Sequence, residues 1–136
     1  MNMKTCGIIT EYNPFHQGHI YHIKKTKELT QCDCLIAIVS NHFTQRGLFS
    51  LLTMQDKTKL ALEAGCNLVI ELPPCYAAQS ADYFAKYAVE SLSQLHIDQI
   101  CFGSETNNIS TLKEYSKQME STQVVPSLSM NQNLYT

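Results

Sequence analysis

The chain has 136 residues, ten Lys plus Arg against twelve Asp plus Glu, and a net charge of −2. That length allows one ordinary domain with a sizeable core, and 44% apolar with 16% charged residues excludes a disordered or fibrous chain. The near-neutral charge creates no long-range field for nucleic acid, so any RNA contact would be a local patch.

The opening residues, Met1 to Thr5, lack the apolar core of a signal peptide. The longest uninterrupted aliphatic run, residues 35–39, is too short to span a bilayer. A cytoplasmic protein away from the membrane is expected. The apolar run 6–10 predicts a first strand, and a helical pattern follows over 18–29. On that helix Lys24, Lys25 and Lys27 read as a solvated face.

Between strand and helix lies Glu11-Tyr12-Asn13-Pro14-Phe15-His16-Gln17-Gly18-His19. A helix N-terminus offers free N–H groups and a partial positive charge. Gly18 lacks the side chain that would block a close approach of phosphate to backbone. His16 and His19 can donate hydrogen bonds to phosphate oxygens as charge builds there. Such chemistry is electrostatic and needs no side-chain nucleophile. His22, one turn beyond His19, shares its face.

Residues 35–40 predict a second strand and Met54–Ala64 a second helix, with Thr53 and Asp56 spaced as a capping box and Gly65 as its stop. Leu68–Leu72 reads as a third strand. A third helix is predicted over 80–95, with Ser80 as N-cap and Asp82 in the first turn. Tyr83, Phe84, Tyr87, Ala88, Leu92 and Leu95 fall on one face of it, read as core. Residues 99–102 give a fourth strand, and a fourth helix runs from about 110 to 119. Residues 121–136 show no period and are expected to form an irregular tail.

Strand–helix alternation with near-continuous apolar strands predicts an α/β fold: a Rossmann-like, three-layer α/β/α parallel sheet. Domain 1–120 would precede the tail 121–136. Ligands of such sheets lie beyond the carboxyl ends of the strands. Residues 10–19, 40–47, 71–74 and 103–105 are therefore expected around one cleft. Glu71 is expected to make a structural hydrogen bond to a neighbouring loop. Glu11 and Asp82 are candidates for acid–base work or magnesium, although a cap-region role suffices for Asp82. His42 reads as a loop residue and His96 as a helix-end residue.

Six cysteines stand at 6, 32, 34, 66, 75 and 101. Cys6, Cys34, Cys66 and Cys101 lie in or beside apolar runs and read as buried reduced thiols. Cys32-x-Cys34 lacks the usual zinc spacing, and no resident metal site is expected.

The run from Gly7 to His19, with Tyr21-His22, resembles the first motif of the bacterial tRNA(Met) cytidine acetate ligases, members of the HIGH nucleotidyltransferase superfamily. Further similar motifs follow in order: Phe43-Thr44-Gln45-Arg46-Gly47, Leu68-Val69-Ile70-Glu71-Leu72-Pro73, Gln79-Ser80-Ala81-Asp82-Tyr83-Phe84-Ala85 and Cys101-Phe102-Gly103-Ser104-Glu105. The resemblance covers residues 4 to about 115. It implies a HIGH-type nucleotidyltransferase fold and an ATP-dependent reaction. ATP, with Mg2+, and acetate would give acetyl-adenylate, whose acetyl group passes to the wobble cytidine of elongator tRNA(Met). RNA rather than DNA would be the nucleic-acid partner. By position the implied ATP segment is Ile8, Ile9, Thr10, Glu11, Tyr12, Asn13, Pro14, Phe15, His16, Gln17, Gly18, His19, Ile20 and Tyr21, joined by Gly103. His16, His19 and Arg46 are the implied catalytic residues.

The chain departs from the family pattern at several positions and in length. Asn41 replaces a glycine, and Leu48-Phe49-Ser50 replaces a Glu-Pro-Ala segment. Met54 and Lys57 stand where relatives carry Lys and Arg. The family continues well beyond residue 119. The residues also fit a nucleotidyltransferase acting on a phosphorylated small molecule, or an ATP-binding module without turnover.

Overall fold

The computed structural model describes residues 2–77, 80–106 and 108–121, with side chains described through 118. The chain divides into two compact units, Met1–Phe102 and Gly103–Thr136. The first holds β1 (Thr5–Thr10), α1 (Gln17–Thr30), β2 (Cys34–Ser40), α2 (Met54–Ala64), β3 (Leu68–Leu72), α3 (Pro74–Ala77), α4 (Ala81–Gln94) and β4 (Gln99–Ile100). The second holds α5 (Ile109–Ser121).

The four strands form one sheet in the order β3-β2-β1-β4. All three pairings are parallel, with Gly7 opposite Ile36 and Ile38 opposite Ile70. Successive side chains of a strand point to opposite faces, and β2 serves two cores. Leu35, Ala37 and Val39 join Ile8, Ile23 of α1 and Ala61 of α2. Ile36 and Ile38 join Ala77 of α3 and Phe84, Ala88 and Leu92 of α4. The sheet is therefore covered on both faces, which is the expected three-layer α/β/α arrangement.

Local chemistry sets the element ends. Thr53 Oγ1 accepts the Asp56 N–H at 3.1 Å, capping α2, and Gly65 ends it at φ 122°, a conformation open to glycine. The Asp98 carboxylate takes the Thr5 N–H at 2.6 Å and the Thr5 hydroxyl at 2.9 Å, fastening β4 beside β1. Gly7 lets α4 approach: a Cβ there would stand 2.7 Å from Leu92 Cδ2 and 2.8 Å from Ile97 Cδ1.

Several expectations change in detail. The fourth strand stops at Ile100, two residues early. Pro74–Ala77 forms a short helix that the proline pair conceals in the sequence. Ser80 occupies the N-cap position of α4, but its side chain makes no cap hydrogen bond. Only Phe84, Ala88 and Leu92 of the predicted face are buried. Tyr83 and Leu95 are exposed because the covering layer reaches only the centre of the stripe. In the second unit α5 begins at Ile109, where Asn108 Oδ1 accepts the Ser110 and Thr111 N–H groups. The tail beyond Ser121 lies outside the described residues.

Of the four cysteines expected to be buried, only Cys6 and Cys66 are; Cys34 and Cys101 are half-buried, and Cys75 is exposed. Burial pushes the Cys6 and Cys66 thiols up to about 11, so both stay protonated at neutral pH. No helix among the described residues is long and apolar enough to cross a membrane.

Candidate active site

The turn after β1 is built from its own aromatic rings. Tyr12 takes a left-handed backbone (φ 50°), unusual for a side chain of its size, and its ring is buried in the core. The Asn13–Pro14 peptide is cis. The Tyr12 ring meets Phe15 edge-on at 4.7 Å and His19 edge-on at 4.9 Å. Phe15 also stacks on His19 at 5.5 Å, so the three rings form one cluster. Tyr12 thus supports His19 from inside the protein, its hydroxyl lying near Thr10 and Cys66 without a well-formed hydrogen bond.

His16 and His19 are locked to each other through the backbone. Gly18 N–H donates to His16 Nδ1 at 3.1 Å, and His16 N–H donates to His19 Nδ1 at 3.1 Å. The two rings lie 3.9 Å apart at 31°. A ring nitrogen that accepts from an amide carries no proton, so each neutral imidazole holds its hydrogen on Nε2. Burial, and then the neighbouring His16 and His22 imidazoles, lower His19 to about 4. At neutral pH it is therefore an uncharged Nε2–H donor. Burial also lowers His22, whose Nε2 finds no partner among the described residues.

This geometry corrects one expectation and extends another. The helix N-terminus is not an open row of donors. Gly18 N–H is taken by His16 Nδ1, and the His19 and Ile20 N–H groups donate to His16 O at 2.9 and 3.3 Å. Gly18 also has a role that the sequence did not show: a Cβ there would stand 2.9 Å from His16 Cε1 and 3.1 Å from its Nδ1. The glycine makes room for the imidazole that folds over the helix end.

The other sequence-selected residues divide by accessibility. The Ile8 and Tyr12 side chains are buried in the core, so only their backbone can face a ligand. Thr10, Glu11, Asn13, Phe15, His19 and Ile20 are half-buried; Pro14, His16, Gln17, Gly18 and Tyr21 are exposed. Ile9 packs against the opposite core. Gly103 belongs to the second unit. Lys24 is exposed, Lys25 pairs with Glu28 at 2.9 Å and Lys27 donates to Gly65 O, as a structural helix face would.

The loop after β2 is tied to this turn twice. Gln45 N–H donates to Glu11 Oε1 at 2.9 Å and Leu51 N–H to Asn13 Oδ1 at 2.6 Å. Between these anchors the chain makes a tight turn. Thr44 N–H donates to Leu48 O and Gly47 N–H to Thr44 O, with Gly47 at φ 73° and Phe43 bridged to Phe49. Arg46 stands exposed at its tip. Glu11 is thus an anchor for Gln45 and faces Lys57, and Asp82 remains in the first turn of α4. Asn41 Nδ2 donates to Glu71 Oε1, the structural bond expected of Glu71. Sequence reasoning named Lys57 only as a position where relatives carry Arg and missed its burial: it is fully buried and donates to Ser40 O at 2.8 Å and Asn41 O at 3.2 Å. The signal was present only in its position, four residues after the Thr53 cap of α2, on the face that turns inward.

A model of the family described as HIGH Nucleotidyl Transferase matches residues 3–135. The chain belongs to the HIGH nucleotidyltransferase family. Within the family it is 50% identical over 115 residues to a tRNA(Met) cytidine acetate ligase of Geobacillus sp. (strain WCH70), and 49% identical over 116 residues to that of Clostridium novyi (strain NT). Each match takes in 85% of this chain and 29% of the relative, so the chain spans under a third of their length. Among solved HIGH-type structures, Thermotoga maritima TmcAL bound with alpha-thio ATP superposes with a TM-score of 0.83 at 38% identity, over 86% of this chain and 29% of that one. A lipopolysaccharide core biosynthesis protein of Thermoplasma volcanium GSS1 shares the fold, with a TM-score of 0.58 at 17% identity over 88% of this chain and 90% of that one.

Proposed function

We propose that this chain forms the ATP-handling part of a tRNA(Met) cytidine acetate ligase. The observation that carries the reading is the His16–His19 pair, each Nδ1 tied to a backbone N–H and each Nε2–H left as a donor. Identity of about half to curated tRNA(Met) cytidine acetate ligases over 85% of the chain supports this choice of reaction. In it, an acetate oxygen attacks the α-phosphorus of ATP and pyrophosphate leaves; the exocyclic amine of the wobble cytidine of elongator tRNA(Met) then attacks the acetyl carbon of the adenylate, its bond to AMP breaks, and AMP and a proton are released.

His16 and His19 would hold the departing phosphates through Nε2–H, where negative charge develops. Arg46 would meet a phosphate, acetate or the tRNA from the facing loop. The backbone of residues 8–21 would line the nucleotide. Among the described residues no three His, Cys, Asp or Glu side chains converge to hold a metal, so Mg2+ would arrive as the counter-ion of the ATP phosphates. A reaction on tRNA with ATP is assigned to the cytoplasm.

Acetate-dependent ATP–pyrophosphate exchange tests this reading. Exchange that needs acetate and falls about 10²- to 10³-fold in His16→Ala supports it. Exchange lost only in proportion to thermal stability would make His16 structural. A folded protein that binds ATP without exchange would be a nucleotide-binding module instead.

A further inference from the structure

A fully buried lysine is rare, because removing an ammonium from water costs several kcal/mol unless fixed acceptors replace the water. Lys57 is such a residue. It leaves α2 and places Nζ 2.8 Å from Ser40 O and 3.2 Å from Asn41 O, the last carbonyl of β2 and the first of the loop that follows. Backbone carbonyls at a strand end would otherwise need water. The Glu11 carboxylate, at the end of the neighbouring strand, acts electrostatically on the same ammonium from beyond ion-pair distance, and it accepts the Gln45 N–H. Asn41, whose carbonyl Lys57 holds, reaches in the other direction to Glu71 at the end of β3. One cation therefore stands where the carboxyl ends of three adjacent strands meet. It holds one end of the segment that leads to Arg46 directly, and the Glu11 carboxylate holds the other.

We propose that Lys57 is a positioning residue: its ammonium holds the loop 41–47 against the turn that begins at Glu11, and so presents Arg46 toward the side of the sheet where His16 and His19 stand. What Arg46 is presented to rests on the phosphate reading of those histidines; the tether itself does not. Lys57 acts through Ser40, Asn41 and Glu11 and touches no reacting atom. The exposed guanidinium has no side-chain partner among the described residues, so its placement depends on how firmly the loop is held.

Arg46 is the only arginine of the chain, which provides a direct test. An arginine-specific protease can cut this protein only after residue 46, and the cutting rate reports how often the loop opens. The experiment compares wild type, Lys57→Met and Lys57→Arg well below their melting temperatures. Cutting by a lysine-specific protease after Lys86 of α4 serves as the measure of global opening. Lys57→Met should cut at Arg46 about tenfold faster with cutting at Lys86 unchanged, and Lys57→Arg should restore the slow rate. Equal rates in folded wild type and Lys57→Met would overturn the proposal, as would acceleration at both sites together. Should Lys57→Met fail to fold, Lys57→Gln carries the same comparison, since its shorter, uncharged amide no longer holds the two carbonyls with an ammonium; faster cutting at Arg46 alone supports the tether and unchanged cutting refutes it. No ATP and no turnover are required, so this outcome is separate from that of the ligase reading.

Discussion

Gly18→Ala separates the two reasons for a glycine at this turn. The added methyl would stand 2.9 Å from His16 Cε1 and 3.1 Å from Nδ1, distances at which the imidazole must swing away. The variant then loses the Gly18 N–H to His16 Nδ1 cap, about 1 kcal/mol. It gains most of the roughly 1 kcal/mol by which alanine favours a helix over glycine. Net stability should change by less than about 0.5 kcal/mol, or about 3 °C in melting temperature. Nucleotide binding should respond very differently. A displaced His16 no longer offers Nε2–H to phosphate, and a hydrogen bond to a charged group is worth about 1.5–3 kcal/mol, or roughly 10- to 150-fold in affinity. The assay is a thermal melt paired with an ATP titration of wild type and Gly18→Ala. A melt lowered by more than about 8 °C with unchanged ATP affinity would refute the argument, because the glycine would then serve the fold and not the ring.

Gly7→Ala should act in the opposite sense. The methyl meets Leu92 and Ile97 at 2.7–2.8 Å, and fully buried Leu92 has little room to yield. A loss of about 1–3 kcal/mol is expected, read as a lower urea midpoint; an unchanged midpoint would show that α4 can shift freely. For pH, His19 is lowered from 6.5 to about 4 in the folded protein. Between those values the unfolded chain binds a proton that the folded chain refuses, so His19 costs nothing above pH 6.5 and its penalty grows as pH falls toward 4. The loss is on the order of 1–3 kcal/mol, and burial of His22 adds in the same direction. Urea unfolding at pH 7.5 and pH 5 should show a smaller pH dependence for His19→Gln than for wild type, and parallel behaviour would remove His19 as the cause.

The sequence by itself determined the architecture. Apolar runs at 6–10, 35–40 and 68–72, each followed by helix signals, admit little but a parallel sheet covered on both faces. Thr53 and Gly65 marked the ends of α2 because capping depends on residues only a few positions apart. The His-x-Gly-His turn was legible for the same reason: its hydrogen bonds join residues two and three apart. Tertiary structure decided what depends on distant partners. Lys57 sits in a helix whose local pattern would equally suit a solvated lysine. Only the crossing of α2 over the end of β2 brings Ser40 O and Asn41 O to its ammonium. Glu11 became an anchor for Gln45, 34 residues away, through strand adjacency. Tyr83 and Leu95 carried the right period for burial, but periodicity gives direction around a helix and not how far a covering layer extends. Gly18 shows the boundary between the two: the need for a glycine was readable, whereas the group that fills its space, the His16 imidazole, was fixed only by the three-dimensional turn.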